Sequence, residues 1–226
     1  MRHVLNAIVY LVVGGIQWRM LPTDYPKWQT VYTYFRTWRD AGTWQRIHDT
    51  LRAEVRRRAG RHKHPTAGSL DSQSVKTTTI PGMRGFDKGK NVNGRKRHLL
   101  VDPLGLVLAV VVTAASVSDP AGARVLFRRV GGAGKNLRKL WVDGTYRGKL
   151  VAWVSQHCQF RLLPVLRSDD QKGFVVLPRR WVVERTFAWL TQCRRLSKDY
   201  EVLPATSEAM IYIAMTRLML RRLVAT

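Results

Sequence analysis

The sequence predicts a mixed α/β chain with a small all-helical domain in front of it. Three observations predict this. Residues 1–60 carry apolar side chains at helical spacing. From residue 69 onward short β-rich runs alternate with helical ones. Between the two lies a run of basic residues, and the linker is placed at 61–68. The order of elements after it is strand, strand, strand, helix, strand, helix, strand, helix, helix. That order describes a mixed sheet with helices on its faces, over residues 69–226.

Charge narrows the classes of partner. The 226 residues hold 39 Lys plus Arg against 15 Asp plus Glu, a net charge of +24. The excess is spread along the chain and opposes a compact state, so it implies a polyanionic partner, nucleic acid first. An anionic membrane surface is the second candidate, but no segment reads as an anchor. Val4 to Val13 is too short to cross ~30 Å of hydrocarbon and lacks a cleavage site, so a cytoplasmic protein is expected. Cys158 and Cys193 make neither a disulfide framework nor a Cys-x-x-Cys zinc pair. His62 and His64 are close together but sit in a basic run.

The first helix carries Val4, Leu5, Ile8, Val9, Leu11 and Val12 and ends at Gly14-Gly15. Pro22 and Pro26 bracket a turn. A second helix runs from about Trp28 to Arg39, with Val31, Phe35 and Trp38 on its apolar stripe. Asp40-Ala41-Gly42 breaks it, and Thr43 is read as the cap of a third helix carrying Ile47, Leu51 and Val55. Helix, Gly-containing turn, helix is the outline of a helix-turn-helix, and equally of a plain helical hairpin. In the first case Gln29, Thr30, Thr33, Arg36, Thr37 and Arg39 face DNA. The aromatic residues of this region (Trp18, Trp28, Tyr32, Tyr34, Phe35, Trp38, Trp44) read as core. Arg56, Arg57, Arg58, Arg61, His62, Lys63, His64 and Pro65 are read as the basic linker.

Gly68 to Ser72 is read as a short strand ending on Asp71. Another strand runs from His98 to Val101. Asp102-Pro103-Leu104-Gly105 has the composition of a type I turn, which makes Asp102 a turn residue. Leu106 to Ala115 is apolar at nearly every position and is expected to be a central strand covered on both faces. Ser118-Asp119-Pro120 opens a helix to about Val130. Lys139 to Val142 is a strand ending at Asp143, Gly148 to Gln156 a helix, Phe160 to Leu166 a strand, and Ser207 to Leu223 the last helix.

Arg179 to Arg195 is the most informative stretch. Val183, Phe187 and Leu190 form an apolar face behind Pro178, and Glu184 is the single acid among five arginines. Arg180 lies one turn before it. Glu184 is thus either half of an intrahelical ion pair or a metal ligand. The remainder of the chain bears on that choice. Asp71 and Asp143 sit at strand ends, and a covering helix can bring Glu184 to them. Three carboxylates converging alone raise one another's pKa values; divalent cations remove that cost. Two ions ~3.5–4 Å apart can activate a nucleophile and stabilise a leaving oxygen. Acids at the centre of a basic surface suit a phosphodiester substrate. Competing motifs fail: Gly89-Lys90 and Gly134-Lys135 lack the rest of a P-loop, and there is no Gly-x-Ser-x-Gly or His-Glu-x-x-His. Asp169-Asp170 reads as a solvated loop.

Four stretches together carry a resemblance: Leu70-Asp71-Ser72-Gln73-Ser74-Val75-Lys76, Gly94-Arg95-Lys96-Arg97-His98, Val142-Asp143-Gly144-Thr145-Tyr146 and Arg180-Trp181-Val182-Val183-Glu184-Arg185. Leu5-Asn6-Ala7-Ile8, Trp18-Arg19-Met20-Leu21-Pro22 and Trp28-Gln29-Thr30-Val31-Tyr32 extend it toward the N-terminus. The chain resembles bacterial insertion-sequence DDE transposases of the insertion sequence five family, over nearly its whole length. The resemblance implies a ribonuclease-H-like catalytic domain. It implies Asp71, Asp143 and Glu184 as catalytic and metal-binding residues, with Mg²⁺ or Mn²⁺ as cofactor in a two-ion site. It also implies cleavage at terminal inverted repeats, strand transfer into target DNA, and a homo-oligomer on double-stranded DNA in the bacterial nucleoid. Arg180, Arg185, Lys76, Arg95, Lys96, Arg97, Arg36 and Arg39 are the DNA-contact candidates. Related enzymes carry an aromatic residue seven before the glutamate and a basic one seven after it; here those are Leu177 and Thr191. Family members also carry a segment ahead of the first helix seen here, so a truncated start is part of the expectation. A nuclease of the same fold, or a DNA-binding remnant without activity, are the alternatives.

Overall fold

The computed structural model describes residues 1–165 and 180–225. Three helices open the chain: α1 (Arg2–Gly14), α2 (Trp28–Asp40) and α3 (Thr43–Arg58). Then follow β1 (Ala67–Lys76), β2 (Gly85–Asp87), β3 (Val92–Val101), β4 (Val107–Ala114), α4 (Asp119–Arg129), β5 (Lys139–Val142), α5 (Lys149–His157), β6 (Arg161–Pro164), α6 (Trp181–Thr191) and α7 (Pro204–Val224). Leu166, Asp169, Asp170, Leu177, Pro178 and Arg179 lie outside the described residues. No described helix is long and apolar enough to cross a membrane.

The helices form where the apolar spacing places them. Val4, Ala7, Ile8, Leu11 and Val12 line the buried face of α1. The chain then leaves the helix through Gly15, whose φ of 74° is left-handed and whose N–H bonds Leu11 O at 2.9 Å. The N-terminal cap of α3 is Gly42, not Thr43; the Thr43 hydroxyl instead accepts a bond from Arg46. The linker reading also shifts. Arg56, Arg57 and Arg58 belong to the last turn of α3, and Ala67 and Gly68 already belong to β1.

Among the described residues the sheet has six strands. β1 pairs antiparallel with β3 from Ser69↔Val101 to Lys76↔Gly94, so β1 runs well past Asp71 instead of ending there. β2 and β4 both pair with the other side of β3. β5 runs parallel to β1, and β6 parallel to β5. β4 is therefore an edge strand, not a central one. It is apolar because both its faces are covered, and its free edge is sealed by helices. Val112 N–H donates to Glu208 Oε1 at 3.0 Å, and Arg52 Nη1 donates to Val107 O at 3.0 Å. Without such partners an unpaired edge is an aggregation template.

Alternation along the strands divides the core in two. Leu99, Val101, Val110 and Val112 pack with α1, α2, α3, α6 and α7. Leu70, Leu100, Ala109 and Val111 pack with α4 and α5 on the opposite face. The helices of residues 1–60 thus share one buried cluster with the sheet, Phe187 and Met210. Phe35 and Trp44 are buried at its centre, as the aromatic composition predicts, whereas Tyr34 is exposed.

Asp102 anchors the corner between β3 and β4. Its Oδ1 accepts from the N–H groups of Leu104 (2.9 Å) and Leu106 (2.8 Å), as the turn chemistry requires. Gly105 closes the turn at φ 81°. A side chain there would also strike the Trp189 ring of α6. Asp102 Oδ2 meets Arg56 of α3 in a fully buried ion pair. The turn residue thus also docks the N-terminal helices onto the sheet.

Candidate active site

The parallel pairing of β1 and β5 places two of the predicted acids. The ladder runs Ala67↔Lys139, Gly68↔Leu140, Ser69↔Trp141 and then stops. Two residues further on, Asp71 and Asp143 leave it side by side, at the carboxyl end of the parallel part of the sheet. β1 continues with β3 alone, while the chain after Asp143 turns off through Gly144–Tyr146. This divergence leaves the two carboxylates at the strand ends, the usual place for a site in such a sheet.

Helix α6 supplies the rest. It packs across β1 and β3, burying Val182, Val183, Phe187 and Leu190. Glu184 stays on its open side. Arg180 Nη2 donates to Glu184 Oε1 at 3.0 Å, and Arg180 Nη1 lies 3.8 Å from Asp143 Oδ2. One guanidinium therefore links the second acid to the third. Asp143 is further held by the Thr145 hydroxyl, which donates to its Oδ1 at 2.6 Å. Asp71 Oδ1 accepts the Ser72 N–H at 2.7 Å. Burial pushes the Asp71 carboxyl up to about 6; the Ser72 N–H and Arg180 oppose that shift, and Asp143 adds to it.

A second layer lies beneath Asp71, and the sequence reading did not single it out. The Ser72 hydroxyl donates to Asp119 Oδ1 at 2.7 Å. Lys96 Nζ stands 3.0 Å from Asp119 and 3.2 Å from Asp87. The Ser74 hydroxyl donates to Asp87 Oδ2 at 2.6 Å. That bond and Lys96 draw the Asp87 carboxyl down to about 2. Tyr146 is buried near Asp71, Asp119 and Asp143, with the Ser72 side chain beside its hydroxyl. Its place in Asp143-Gly144-Thr145-Tyr146 was the available signal. Asp87 sits in a Gly- and Lys-rich stretch, and nothing local marks it.

Three of the predicted DNA contacts are corrected by burial. Arg95, Lys96 and Arg97 are at most 5% exposed. Arg95 pairs with Asp199 at 3.0 Å and donates to the carbonyls of Met83, Glu201 and Val202. Arg97 donates to Leu196 O and Lys198 O. These cations fasten β3 to the segment between α6 and α7 and are not presented to a surface ligand. Lys76 and Arg36 are exposed. Arg39 is half-buried, bonded to Asp40 and Thr206. Arg185 lies between the Trp181 and Trp189 rings and donates to Leu104 O at 3.3 Å.

A mixed sheet with acids at neighbouring strand ends, a covering helix bearing a third acid, and a large basic excess define a protein of phosphodiester chemistry on nucleic acid. The comparisons make this specific. The family described as Transposase DDE domain matches residues 62–219, and the transposase family of the IS4/5 type matches residues 1–48. The chain belongs to the DDE transposases of the IS4/IS5 family, and the sheet with its covering helices is that family's ribonuclease-H-like domain. No curated protein and no solved structure matches the chain.

The family uses divalent metal ions, and the side chains fit such an ion in part. Asp71 and Asp143 offer hard oxygen donors side by side, and the Asp71 carboxyl forms no ion pair among the described residues, although Arg180 and Lys90 act on it. Among the described residues, however, no three His, Cys, Asp or Glu side chains stand close enough together to hold an ion. Glu184 is engaged by Arg180, so a three-carboxylate site requires that bond to open.

Proposed function

We propose that this transposase cleaves DNA at the terminal inverted repeats of an insertion sequence and joins the freed end to target DNA. The observation that carries the reading is the link Asp143–Arg180–Glu184 beside Asp71, at the carboxyl end of the parallel strands. Asp71 and Asp143 would hold Mg²⁺ or Mn²⁺, two ions in all, and Glu184 would complete the set. Bound there, the ions supply an activated water and charge for the leaving oxygen.

The chain's own residues do the positioning. Water oxygen attacks the scissile phosphorus and gives up a proton, the P–O3′ bond breaks to leave a 5′-phosphate, and the departing 3′ oxygen takes up a proton as a hydroxyl. That hydroxyl then attacks a target phosphodiester and releases a new 3′-hydroxyl, so no bond energy is drawn from elsewhere. Arg180 exchanges Glu184 for the scissile phosphate, where a guanidinium can bind two oxygens at once. Such fixed charge at a developing oxyanion is worth about 10²–10³ in rate. Tyr146 and the Ser72–Asp119–Lys96 layer hold Asp71 from below. Lys76 and the exposed side of α2, with Arg36, contact duplex DNA. The working form is a homo-oligomer on that DNA in the bacterial cytoplasm.

The test is cleavage of supercoiled plasmid carrying the element's ends, with Mg²⁺ and with EDTA, beside the Glu184→Ala variant. Mg²⁺-dependent nicking at the repeat ends, absent in the variant, supports the reading. Binding without cleavage by the unaltered protein replaces it with a DNA-binding remnant. Equal cleavage by Glu184→Ala removes Glu184 from the site.

A further inference from the structure

Beside the acid-bearing stripe of α6 runs a second one, Trp181, Arg185, Trp189, at successive spacings of four. The Arg185 guanidinium lies 4.4 Å from the Trp181 ring centre and 4.6 Å from that of Trp189. The Trp189 ring system is also met by Arg222 of α7, again at 4.6 Å. Two tryptophans and two arginines thus form a continuous ladder. The Trp189 end opens into a cleft of about 360 Å³ between α6 and α7, whose lining includes Arg217, Arg221 and Arg222. No acid lines that cleft among the described residues.

Four guanidiniums gathered in one place need compensation. Among the described residues, the carboxylate that acts on both Arg185 and Arg222 is the buried Asp102. It is already paired with Arg56 and bonded by two backbone N–H groups. The carboxyl end of α7 offers only about half a negative charge. Neither balances four cations, and no described acid forms an ion pair with Arg185, Arg217, Arg221 or Arg222. Arg185 spends one terminal nitrogen on Leu104 O at 3.3 Å, and the planar guanidiniums on these rings carry forked N–H donors that match phosphate oxygens. The protein holds these like charges together in advance of a polyanion.

We propose that the ladder Trp181–Arg185–Trp189–Arg222, continued by Arg217 and Arg221, is a track for the phosphate backbone of duplex DNA running away from the acidic site. This rests on the proposed function above, because it takes the strand cut at Asp71 and Asp143 as the one that continues along α6. From Trp181 to Trp189 the helix rises ~12 Å, roughly three base steps of duplex. The track therefore engages DNA flanking the cut rather than the scissile phosphate.

The experiment measures binding of the full chain to a fluorescein-labelled duplex of arbitrary sequence, by anisotropy over a KCl series. Each lost phosphate contact lowers the slope of log K against log salt by about 0.9. The Arg221→Gln/Arg222→Gln variant is expected to lose one to two such contacts. Arg221→Gln alone, at an exposed position, guards against a folding defect in the double variant and is expected to lose about one. Trp189→Leu keeps every charge but unstacks the ladder, and a two- to five-fold weaker complex is expected. Unchanged slope and affinity in the double variant overturn the track, while loss of cleavage in Glu184→Gln in the same series leaves the active-site reading standing. Absence of DNA binding by the unaltered chain overturns both.

Discussion

Arg180 donates to Glu184 at 3.0 Å, one helical turn along α6, while its other terminal nitrogen stands 3.8 Å from Asp143. As an intrahelical pair with a carboxylate nearly half exposed, this contact is worth only about 0.3–0.5 kcal/mol. Its position matters more than its strength. Arg180→Ala is expected to leave the melting temperature within a degree or two and to cut the cleavage rate by about 10²–10³. A large loss of stability at an undiminished rate would assign Arg180 to the fold instead.

The Arg56–Asp102 pair is the opposite case, buried on both sides. Removing one partner strands the other charge in the interior, which costs about 3–5 kcal/mol. Urea unfolding of Asp102→Ala is therefore expected to show a loss of that order, since the turn bonds to Leu104 and Leu106 go with it. Arg56→Met should fall short of this, because Asp102 keeps both backbone donors. Equal midpoints for Asp102→Ala and the unaltered protein would sink the account.

Arg95 separates burial from surface charge. Arg95→Ala leaves Asp199 unpaired and three carbonyls without their donor. We expect a loss of about 3–5 kcal/mol in stability. Below its lowered melting point the variant should bind DNA with the unaltered salt dependence. A shallower salt slope without destabilisation would return Arg95 to the interface.

His98 gives the acid limb of stability. Burial lowers its pKa from 6.5 to about 4, and its Nε2 is hydrogen-bonded with Thr113 Oγ1 at 3.1 Å. Below pH 6.5 the unfolded chain takes a proton that the folded chain refuses until about pH 4. Its contribution is complete above pH 6.5 and is lost as pH falls, by roughly 3 kcal/mol at pH 4. His98→Gln should flatten the pH dependence of the unfolding free energy between those limits. The same limb, unchanged in the variant, would place the titration elsewhere. Gly122 packs against this ring so closely that an added methyl would lie 2.1 Å from it, and Gly122→Ala should destabilise by about 1–3 kcal/mol.

What the sequence made legible was local. The helices, the Asp102 turn and the alternation of elements all follow from spacings within a dozen residues, and the mixed α/β class follows from them. What it hid was non-local. Arg95 and Arg97 look like a surface patch because Asp199 and the carbonyls they serve lie about a hundred residues further on. β4 reads as central because apolar faces say nothing about which edge is paired. β2 is three residues long in a Gly- and Lys-rich stretch, too short to show a period. Asp71 reads as a strand end because its residue types change there. The structure shows instead that β1 loses β5 as a neighbour there and runs on with β3 alone. The juxtaposition of Asp71 with Asp143 rests on a parallel register no single stretch encodes, and the Lys96 layer beneath it on contacts between four separate segments.

The single buried cluster that joins α1, α2 and α3 to α6, α7 and the sheet has a mechanical consequence. Helices seated on a common core, and bolted to it through Arg56 and Asp102, do not swing about a hinge. A duplex gripped along α2 would meet the carboxylates at one set distance. On the proposed function the protein would act as a gauge, with the interval between grip and cut built into its packing.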